Sequence, residues 1–442
     1  MNDFAPVEGR RVKLTTLGCK LNQYDTEMIL SQLRAEGYQE TVRAQEAELI
    51  VINTCAVTET AERKGRAAIR AAFRSNPRAK IVATGCQAEK SPQALLTQGA
   101  SMVIGNREKE RFSSLIVGTE SVVAGGIRDG VDWRDGTIVS GLRGRVRAFL
   151  KVQDGCSQYC TYCIVPKLRG SGRSLPVRAA VRRAAELVDQ GFQEIVLTGV
   201  ALGTYGFDFG QEDALCGLLL ELSKVRGLER LRLSSVEPWA VSNRFLEIVG
   251  FSEVICPHLH LPFQSGSNEI LRRMNRRYSV DDIRKSLDFA FSLREDWGIG
   301  ADIIVGFPGE TSSHFNETLS LVKDTRIAYL HVFPFSSRPG TPATKLGAPV
   351  SSDEIMERAN VLRELSRTSR TEFHNRLVGT EVEVIPENRG SQNYVFGHAR
   401  NYADVALPRG LAETGKIARF IVERADSEFV YCRKHPKNYE AA

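Results

Sequence analysis

Apolar runs and amphipathic stretches alternate along the first 120 residues of the chain. Runs rich in β-branched residues, at 12–19, 49–55 and 80–86, each end in a cysteine. Each run precedes residues whose apolar positions recur every three or four places, near 22–36, 60–74 and 92–98. Such alternation predicts parallel βαβ units, and therefore an open α/β sheet domain, which we place at residues 10–120.

A second series of strand–helix units follows a glycine-rich stretch at 118–145, which we interpret as a linker. The predicted strands end at Gln153, Gly199, Val236, Pro262, Val305 and Phe335. Six units suit a partial or complete barrel whose site lies at the carboxyl ends of the strands. We place this barrel at residues 142–372, with a charged helix, 353–376, at its end.

Five short β-rich runs complete the chain, at 381–385, 394–398, 403–407, 417–422 and 428–432. They predict a small β-barrel at 373–436, of a kind that binds nucleic acid. Tyr394, Phe396 and Tyr402 are candidates for stacking on bases, with core packing as the alternative for at least two of them.

The composition limits the class of protein. A chain of 442 residues that is 42% hydrophobic and 25% charged is neither disordered nor a disulfide-dense scaffold. We find no secretory signal and no apolar run of about 18 residues, so we expect a cytoplasmic protein without a membrane partner. Thiols stay reduced in that compartment, so the nine cysteines are expected to be ligands, nucleophiles or core residues.

The strongest chemical signal is the C-x3-C-x2-C run of Cys156, Cys160 and Cys163 after a predicted strand. Such spacing brings three soft thiolates onto one loop, which suits iron–sulfur ligation or zinc. Three ligands leave one iron of a [4Fe–4S] cluster open, as in other open metal sites. The alternatives are a zinc site completed by a histidine, although none lies nearby in sequence, and chance spacing.

A second triad consists of Cys19, Cys55 and Cys86, each at the end of a predicted strand. Because the carboxyl ends of parallel strands meet at one edge of a sheet, these cysteines are expected to converge on another metal site with three ligands. The alternative is burial of each thiol as a small apolar side chain. Burial is the prediction for the three remaining cysteines, Cys216, Cys256 and Cys432.

The C-x3-C-x2-C run, with Tyr162 before its last cysteine, resembles the signature of the radical S-adenosylmethionine enzymes. Taken with the first triad and four later segments, the chain resembles the methylthiotransferase family over nearly its whole length. The four segments are HLHLPFQSGS (258–267), LRRMNRRY (271–278), DIIVGFPGET (302–311) and FPFSSRPGT (333–341). The terminal β-barrel is similar to the TRAM domain of that family.

This resemblance implies two [4Fe–4S] clusters and S-adenosylmethionine, which serves as methyl donor and as radical source. Cys156, Cys160 and Cys163 would hold the radical-generating cluster, and Cys19, Cys55 and Cys86 the auxiliary one. The reaction would turn an aromatic C–H bond into a C–SCH3 bond. An electron donor such as flavodoxin or ferredoxin is implied, and we expect a monomer.

The resemblance also suggests which residues contact S-adenosylmethionine, although helix capping, loop hydrogen bonds and turn formation are the alternatives. These residues are Tyr162, Thr198, Gly199, Ser235, Glu237 and Gly306.

The segments LGCKLNQY (17–24) and NTCAVT (53–58) resemble the type that modifies N6-threonylcarbamoyladenosine beside the anticodon. A tRNA anticodon stem–loop is then the partner. The alternatives are the same chemistry on isopentenyladenosine in tRNA or on a ribosomal protein aspartate. An alternative of another class is an iron–sulfur module that binds tRNA or senses redox state.

The net charge of +6 is modest, but residues 62–80 alone carry a net +6. Arg66, Arg70 and Arg74 are four residues apart and therefore form one stripe on the predicted helix after Cys55. With Arg63 they are our candidates for RNA binding. The alternative is an ordinary solvated helix face.

Overall fold

The computed structural model describes residues 10–125 and 146–434, which form two compact units. The described residues of the first unit are 10–125, 155–157 and 164–171, and those of the second are 146–154, 158–163 and 172–434. All nine cysteines are free thiols. Among the helices in the described parts of the chain, none has the length and apolar character needed to cross a membrane.

The first unit is built on a parallel sheet that has six strands within the described residues, in the order β2-β1-β3-β4-β5-β6. The strands are β1 (Arg11–Thr16), β2 (Gln39–Glu40), β3 (Leu49–Thr54), β4 (Lys80–Gly85), β5 (Met102–Ile104) and β6 (Val122–Val123). The helices are α1 (Lys20–Ala35), α2 (Glu59–Ser75), α3 (Cys86–Lys90), α4 (Pro92–Leu96), α5 (Phe112–Leu115) and α6 (Val165–Arg169).

Helices cover both faces of this sheet. Along β3, Ile50 and Ile52 pack in one core with α2, while Leu49 and Val51 pack in the other with α1. After β1, the chain forms β2 on one side of that strand and then crosses over to form β3 on its other side. The direction in which strands are added therefore reverses between β1 and β3. Open α/β sheets bind ligands at such a reversal, outside the carboxyl ends of the strands. The predicted open α/β sheet is confirmed.

The helix predicted near 92–98 is present as α4, whereas the linker predicted at 118–145 is wrong in its first part. The helix predicted at 92–98 is preceded by a separate helix, α3, that begins at Cys86. Ser91 leaves the helical conformation, with φ of −152°, because the residue before a proline disfavours it. The segment predicted as a linker contains strand β6, whose Val122 pairs with Val103, so the sheet continues past residue 120. The rest of that segment, 126–145, lies outside the described residues.

The second unit contains an open parallel barrel. Its strands form two sheets, β7-β10-β11 and β12-β13-β14, joined by bridges from Leu231 to Ile255 and from Ser235 to His260. Within the described residues, β7 pairs only with β10 and β14 only with β13, so the barrel does not close between them. The prediction of a partial barrel is therefore confirmed for these residues. The bounds are β7 (Arg147–Lys151), β8 (Gln153–Asp154), β9 (Arg173–Ser174), β10 (Glu194–Thr198), β11 (Arg230–Leu233), β12 (His258–Gln264), β13 (Gly298–Val305) and β14 (Tyr329–Pro334).

Helices follow these strands as the amphipathic pattern predicts. Two of them begin with reciprocal capping boxes, Ser279 with Asp282 and Thr311 with His314, which satisfy backbone N–H groups that a first turn leaves unpaired. The helices are α7 (Val177–Asp189), α8 (Ala214–Leu222), α9 (Asn243–Phe251), α10 (Asn268–Arg273), α11 (Val280–Leu293), α12 (Ser312–Lys323) and α13 (Ser352–Arg376).

The end of the chain forms a closed β-barrel within the same compact unit, in the order β15-β16-β17-β19-β18. Its strands confirm the five predicted runs to within a few residues, apart from a longer first strand. They are β15 (Glu381–Gly390), β16 (Tyr394–Ala399), β17 (Asp404–Pro408), β18 (Ala418–Ala425) and β19 (Val430–Lys434).

A buried ionic cluster joins the two barrels of the second unit. The Arg232 guanidinium donates to Glu194 at 2.7 Å and to the Arg400 carbonyl at 2.8 Å, while Arg230 donates to Glu383 at 2.9 Å. Burial alone would raise the pKa of the Glu194 carboxyl, but the Arg232, Arg147 and Arg230 guanidinium groups hold it well below its usual range. These hydrogen bonds connect β10 and β11 to the backbone of the terminal barrel.

Candidate functional site

The first cysteine triad lies at the carboxyl ends of three neighbouring strands. Cys19 precedes α1 at the end of the β1 loop, Cys55 follows β3, and Cys86 begins α3 directly after β4. In the parallel register, Thr16 pairs with Asn53 and Thr54 with Gly85. The three residues therefore meet at one edge of the sheet, beside the point where the strand order reverses.

The packing at this edge is close. A Cβ at Gly18, where φ is +103°, would lie 3.0 Å from the Cys55 sulfur, and one at Gly85, where φ is +98°, would lie 2.2 Å from the Thr54 carbonyl oxygen. Burial, together with the neighbouring Cys86 and Cys19 sulfurs, raises the pKa of the Cys55 thiol to about 11. Bonding to a soft metal offsets the unfavourable free energy of forming a buried thiolate, so these three cysteines fit an iron–sulfur cluster.

A buried polar network fixes the loops that carry Cys19 and Cys55. Asn22 donates to the Leu17 carbonyl at 2.7 Å and to the Thr54 carbonyl at 3.0 Å. The Arg169 guanidinium reaches Asn22 at 2.9 Å and Asp25 at 3.2 Å, and Lys109 reaches the same Asp25 oxygen at 2.9 Å. Arg169, Asp25 and Lys109 are buried, and sequence analysis identified none of them.

The segment after the second triad also contacts the first triad. Ile164 and Leu168 pack in one apolar cluster with Ala56 and Cys86. Asn106 donates to the Leu168 carbonyl at 2.9 Å, and the same amide nitrogen lies 3.8 Å from the Cys86 sulfur. Within the first unit, α6 thus packs beside the first cysteine triad.

In the second unit, Cys160 is buried beside a cation. The Arg276 guanidinium donates to the Cys160 sulfur at 3.3 Å and to the Pro262 carbonyl at 3.0 Å. Such a hydrogen bond fixes the orientation of the sulfur, as the outer contacts of metal ligands do. The amide of Cys163 donates to the Cys160 carbonyl at 3.0 Å, and in the first unit that of Cys156 donates to the Gly170 carbonyl at 2.9 Å.

The Cys160–Cys163 turn is anchored to neighbouring loops. Thr161 accepts from the Ala343 amide at 2.9 Å and donates through its own amide to Met274 at 3.1 Å. Tyr162 packs on an apolar cluster that contains Ile270, Met274, Phe307 and Ala343. The aromatic residue before the last cysteine therefore anchors the loop to this apolar cluster.

Four of the candidate S-adenosylmethionine contacts lie at the carboxyl ends of β10 and β11. Thr198 ends β10 and Gly199 follows it, while Ser235 and Glu237 follow β11. Glu237 is buried and accepts from the Gly203 amide at 2.9 Å; burial raises the pKa of its carboxyl, and the charge of Arg276 opposes that rise. Glu237 is thus electrostatically coupled to the guanidinium that contacts Cys160.

Gly306 follows β13 and has φ of +77°. A Cβ there would lie 2.3 Å from Ile355 of α13, and its amide donates to Glu310 at 2.7 Å. Packing of α13 accounts for the glycine, and cofactor contact at this position stays a prediction.

The predicted basic stripe lies on α2. Arg63, Arg70 and Arg74 are exposed. Arg66 is half-buried and lies 3.7 Å from Glu62, and Arg70 hydrogen-bonds Gln98. Part of this charge is therefore compensated, while Arg63 and Arg74 extend into solvent.

The candidate aromatic residues of the terminal barrel divide into two groups. Tyr402 stacks between His258 and His398, with ring centroids 4.4 and 4.6 Å away, so it is part of the internal packing of the second unit. Phe396 stacks on Phe429 at 4.5 Å and is only partly buried. Cys216, Cys256 and Cys432 are buried, as predicted.

Two family models match the chain. Residues 11–105 match a model described as uncharacterized protein family UPF0004, and residues 150–322 match the radical SAM superfamily. The structure is similar to the radical S-adenosylmethionine methyltransferase TsrM from Kitasatospora setae, with a TM-score of 0.57, 14% identity, and coverage of 76% of this chain and 74% of that one. That likeness shows the fold alone, and the superfamily match identifies a radical SAM domain at residues 150–322.

Curated relatives narrow the class. The chain is 38% identical to the threonylcarbamoyladenosine tRNA methylthiotransferase MtaB of Aquifex aeolicus, over 93% of this chain and all of the relative. It is 33% identical to the tRNA-2-methylthio-N(6)-dimethylallyladenosine synthase of Ruegeria pomeroyi, over 93% and 95% of the two chains. The chain belongs to the methylthiotransferase family of radical SAM enzymes, whose cofactors are [4Fe–4S] clusters and S-adenosylmethionine.

Proposed function

We propose that this protein is a tRNA methylthiotransferase that converts N6-threonylcarbamoyladenosine beside the anticodon to its 2-methylthio derivative. The observation that carries the proposal is the presence of two cysteine triads, one at the carboxyl ends of three parallel strands and one in the segment after β8. The chain that contains them matches all of MtaB of Aquifex aeolicus over 93% of its own residues. The lower identity to the dimethylallyladenosine synthase favours the threonylcarbamoyl substrate over the isopentenyl one.

In this proposal, each triad holds one [4Fe–4S] cluster. Cys156, Cys160 and Cys163 hold the cluster that, with S-adenosylmethionine, supplies the radical, and Cys19, Cys55 and Cys86 hold the cluster that supplies sulfur. Arg276 orients the Cys160 sulfur.

The chain's own residues bind and orient the cofactor. The proposed contacts to S-adenosylmethionine are Tyr162, Thr198, Gly199, Ser235, Glu237 and Gly306. Glu237 has a buried carboxyl whose acceptor capacity is only partly used by the Gly203 amide, so it suits a hydroxyl or ammonium donor of that cofactor.

The anticodon stem–loop would contact the stripe of Arg63, Arg66, Arg70 and Arg74, whose guanidinium groups suit phosphates. A flavodoxin or ferredoxin would supply the electrons. We further propose a cytoplasmic monomer with domains at 10–120, 142–372 and 373–436, the last a TRAM-like barrel.

The test is mass spectrometry of tRNA nucleosides from a strain that lacks the gene and carries no second enzyme of this kind. We expect 2-methylthio-threonylcarbamoyladenosine to vanish and to return with the wild-type gene but not with the Cys160→Ala gene. An unchanged peak refutes the proposal. Loss of the methylthio-isopentenyl nucleoside, or of a methylthio group on a ribosomal protein, assigns the enzyme to the alternative substrate.

A further inference from the structure

A chain of hydrogen bonds crosses the three strands β12, β13 and β14. The His258 Nε2 lies 2.9 Å from the Tyr329 hydroxyl, which lies 3.2 Å from His260 Nδ1. The His260 Nε2 lies 2.7 Å from Asp302 Oδ1, and His331 Nδ1 lies 3.3 Å from the same oxygen. The three side chains at the end of this series, His260, Asp302 and His331, are called the His–Asp–His cluster below.

The cluster lies on the strand face directed toward the Cys160 loop. Ile304, two residues beyond Asp302 and therefore on the same face, packs against the apolar cluster that also supports Tyr162. The backbone carbonyl of Pro262, on the same strand as His260, accepts from the guanidinium that contacts Cys160. A group bound at the cluster would accordingly face the radical-generating site.

One end of the cluster is accessible. The side chain of His331 is 54% exposed, whereas those of His260 and Asp302 are 11% and 20% exposed. Phe333, on the same face of β14, is also exposed. An incoming group therefore meets His331 first, beside an apolar ring.

The contact with Asp302 determines which ring nitrogen of His331 can hydrogen-bond a ligand. Burial would raise the pKa of the Asp302 carboxyl, but hydrogen bonds from His260 and His331 hold it well below its usual range. An ionised carboxylate only accepts, so His331 Nδ1 carries the hydrogen that faces Asp302. Its Nε2 then remains to meet a ligand, and in the charged ring that nitrogen donates.

We propose that the His–Asp–His cluster binds the carboxylate-bearing N6 side chain of the target adenosine, with the His331 Nε2–H as donor to its carboxylate. This inference rests on the proposed function, because threonylcarbamoyladenosine carries a carboxylate and a hydroxyl on N6, whereas isopentenyladenosine carries only a hydrocarbon. A site built to hydrogen-bond a substrate group rejects the analogue without it strongly, so the cluster determines specificity. Asp302 is the positioning residue that orients both rings.

The test uses the reconstituted holoenzyme and two forms of one tRNA, with the threonylcarbamoyl carboxylate either unmodified or converted to its methyl ester. For the wild type we expect kcat/KM for methylthiolation to fall about tenfold to a hundredfold on the ester, the usual effect of removing a charge-assisted hydrogen bond. His331→Phe should lose a similar factor on the acid, mainly through KM, and should treat both forms alike. Asp302→Asn should show a smaller loss of the same preference.

Two controls keep the outcomes separate. His314→Gln, at a histidine that caps α12, should preserve the wild-type preference because glutamine also serves in a capping box. Release of 5′-deoxyadenosine without tRNA should be equal in the wild type and His314→Gln, since His314 lies outside the cluster. A wild type that releases 5′-deoxyadenosine but methylthiolates neither tRNA contradicts the proposed function itself.

Two results would overturn the inference alone. One is a His331→Phe enzyme that still prefers the acid as strongly as the wild type. The other is one equivalent of zinc or manganese, measured by elemental mass spectrometry, that the wild type retains and His331→Phe lacks. The three ligand atoms lie within 4.8 Å of one another, and such a result would make the cluster a cation site.

Discussion

The Arg169 guanidinium lies 3.2 Å from the Asp25 carboxylate, although 144 residues separate them in the chain. Arg169 ends the short helix that follows the second cysteine triad, and Asp25 lies in the first helix, which begins directly after Cys19. The same carboxylate accepts from Lys109, so one buried anion pairs with two buried cations. The segment that follows one triad thereby contributes to the scaffold of the other.

Replacement of Arg169 by methionine should reveal this role. The change removes the buried hydrogen bonds from Arg169 to Asn22 and Asp25 but leaves the Asp25–Lys109 ion pair. Such a loss typically costs about 1–3 kcal/mol. We expect a lower thermal midpoint and a loss of iron at the auxiliary site, both measured on anaerobically reconstituted protein. Arg43→Met is the control, because that guanidinium is 74% exposed and its removal should change stability by less than about 0.5 kcal/mol. Equal effects of both substitutions would contradict the assigned role.

The close contact at Gly85 gives a second prediction. In Gly85→Ala the new methyl group meets the Thr54 carbonyl, so the backbone must shift and Cys86 moves with it. We expect about four irons per chain instead of about eight, because only the auxiliary cluster is lost. Gly37→Ala has a similar φ, +83° against +98°, but open space around the added carbon. It should bind iron as the wild type does; full iron loading in Gly85→Ala would contradict the placement of Cys86.

A third prediction concerns Glu194, the buried anion between the two barrels of the second unit. Glu194→Gln leaves Arg230 and Arg232 without this buried counter-charge and should destabilise the protein by about 3–5 kcal/mol. The pKa of the Glu194 carboxyl is lower in the folded protein than the unfolded value of about 4.3, so its contribution is complete above that pH and is lost as the pH falls below it.

The measurement is the difference in thermal midpoint between wild type and Glu194→Gln at several pH values. That difference should shrink as the pH falls from about 6 to about 3. Glu221→Gln, whose ion pair with Lys224 is exposed, should show little difference at any pH. A difference that grows toward low pH would exclude the proposed direction of the pKa shift.

A fourth prediction tests the basic stripe of α2. The double variant Arg70→Ala, Arg74→Ala should bind tRNA more weakly, and the slope of log affinity against log salt should fall by about one for each phosphate that the variant no longer neutralises. Cleavage of S-adenosylmethionine without tRNA should not change. The control removes two other exposed arginines, Arg182 and Arg367, and should leave affinity and slope nearly unchanged. Equal decreases of tRNA affinity in the two double variants would contradict the assignment of the stripe and would indicate only a general effect of net charge.

Much of the fold was predictable because parallel strands have a recognisable local pattern. The runs that end in Cys19, Cys55 and Cys86 predicted their convergence, since strand direction and order alone bring such ends to one edge. The five strands of the terminal barrel were likewise predicted from local pattern. Both inferences depend on backbone geometry that neighbouring residues determine.

Long-range side-chain partners were not predictable in this way. Nothing near Arg169 or Asp25 in sequence indicates their contact, because burial of an ion pair depends on elements folded together from distant parts of the chain. Tyr402 was a candidate for stacking on bases, yet it packs between two histidines. It lies in the turn between β16 and β17, and the sequence of a turn does not show which distant residues it contacts.

The most direct measurement of the central claim is an anaerobic assay with reconstituted enzyme, S-adenosylmethionine, a reductant and tRNA that contains threonylcarbamoyladenosine. The wild type should form 5′-deoxyadenosine and the 2-methylthio nucleoside, while Cys160→Ala should retain about four irons and form neither. Cys432→Ala, at a buried thiol outside both triads, should keep about eight irons and form both products. Formation of 5′-deoxyadenosine by Cys160→Ala, or its absence in the wild type, would contradict the account.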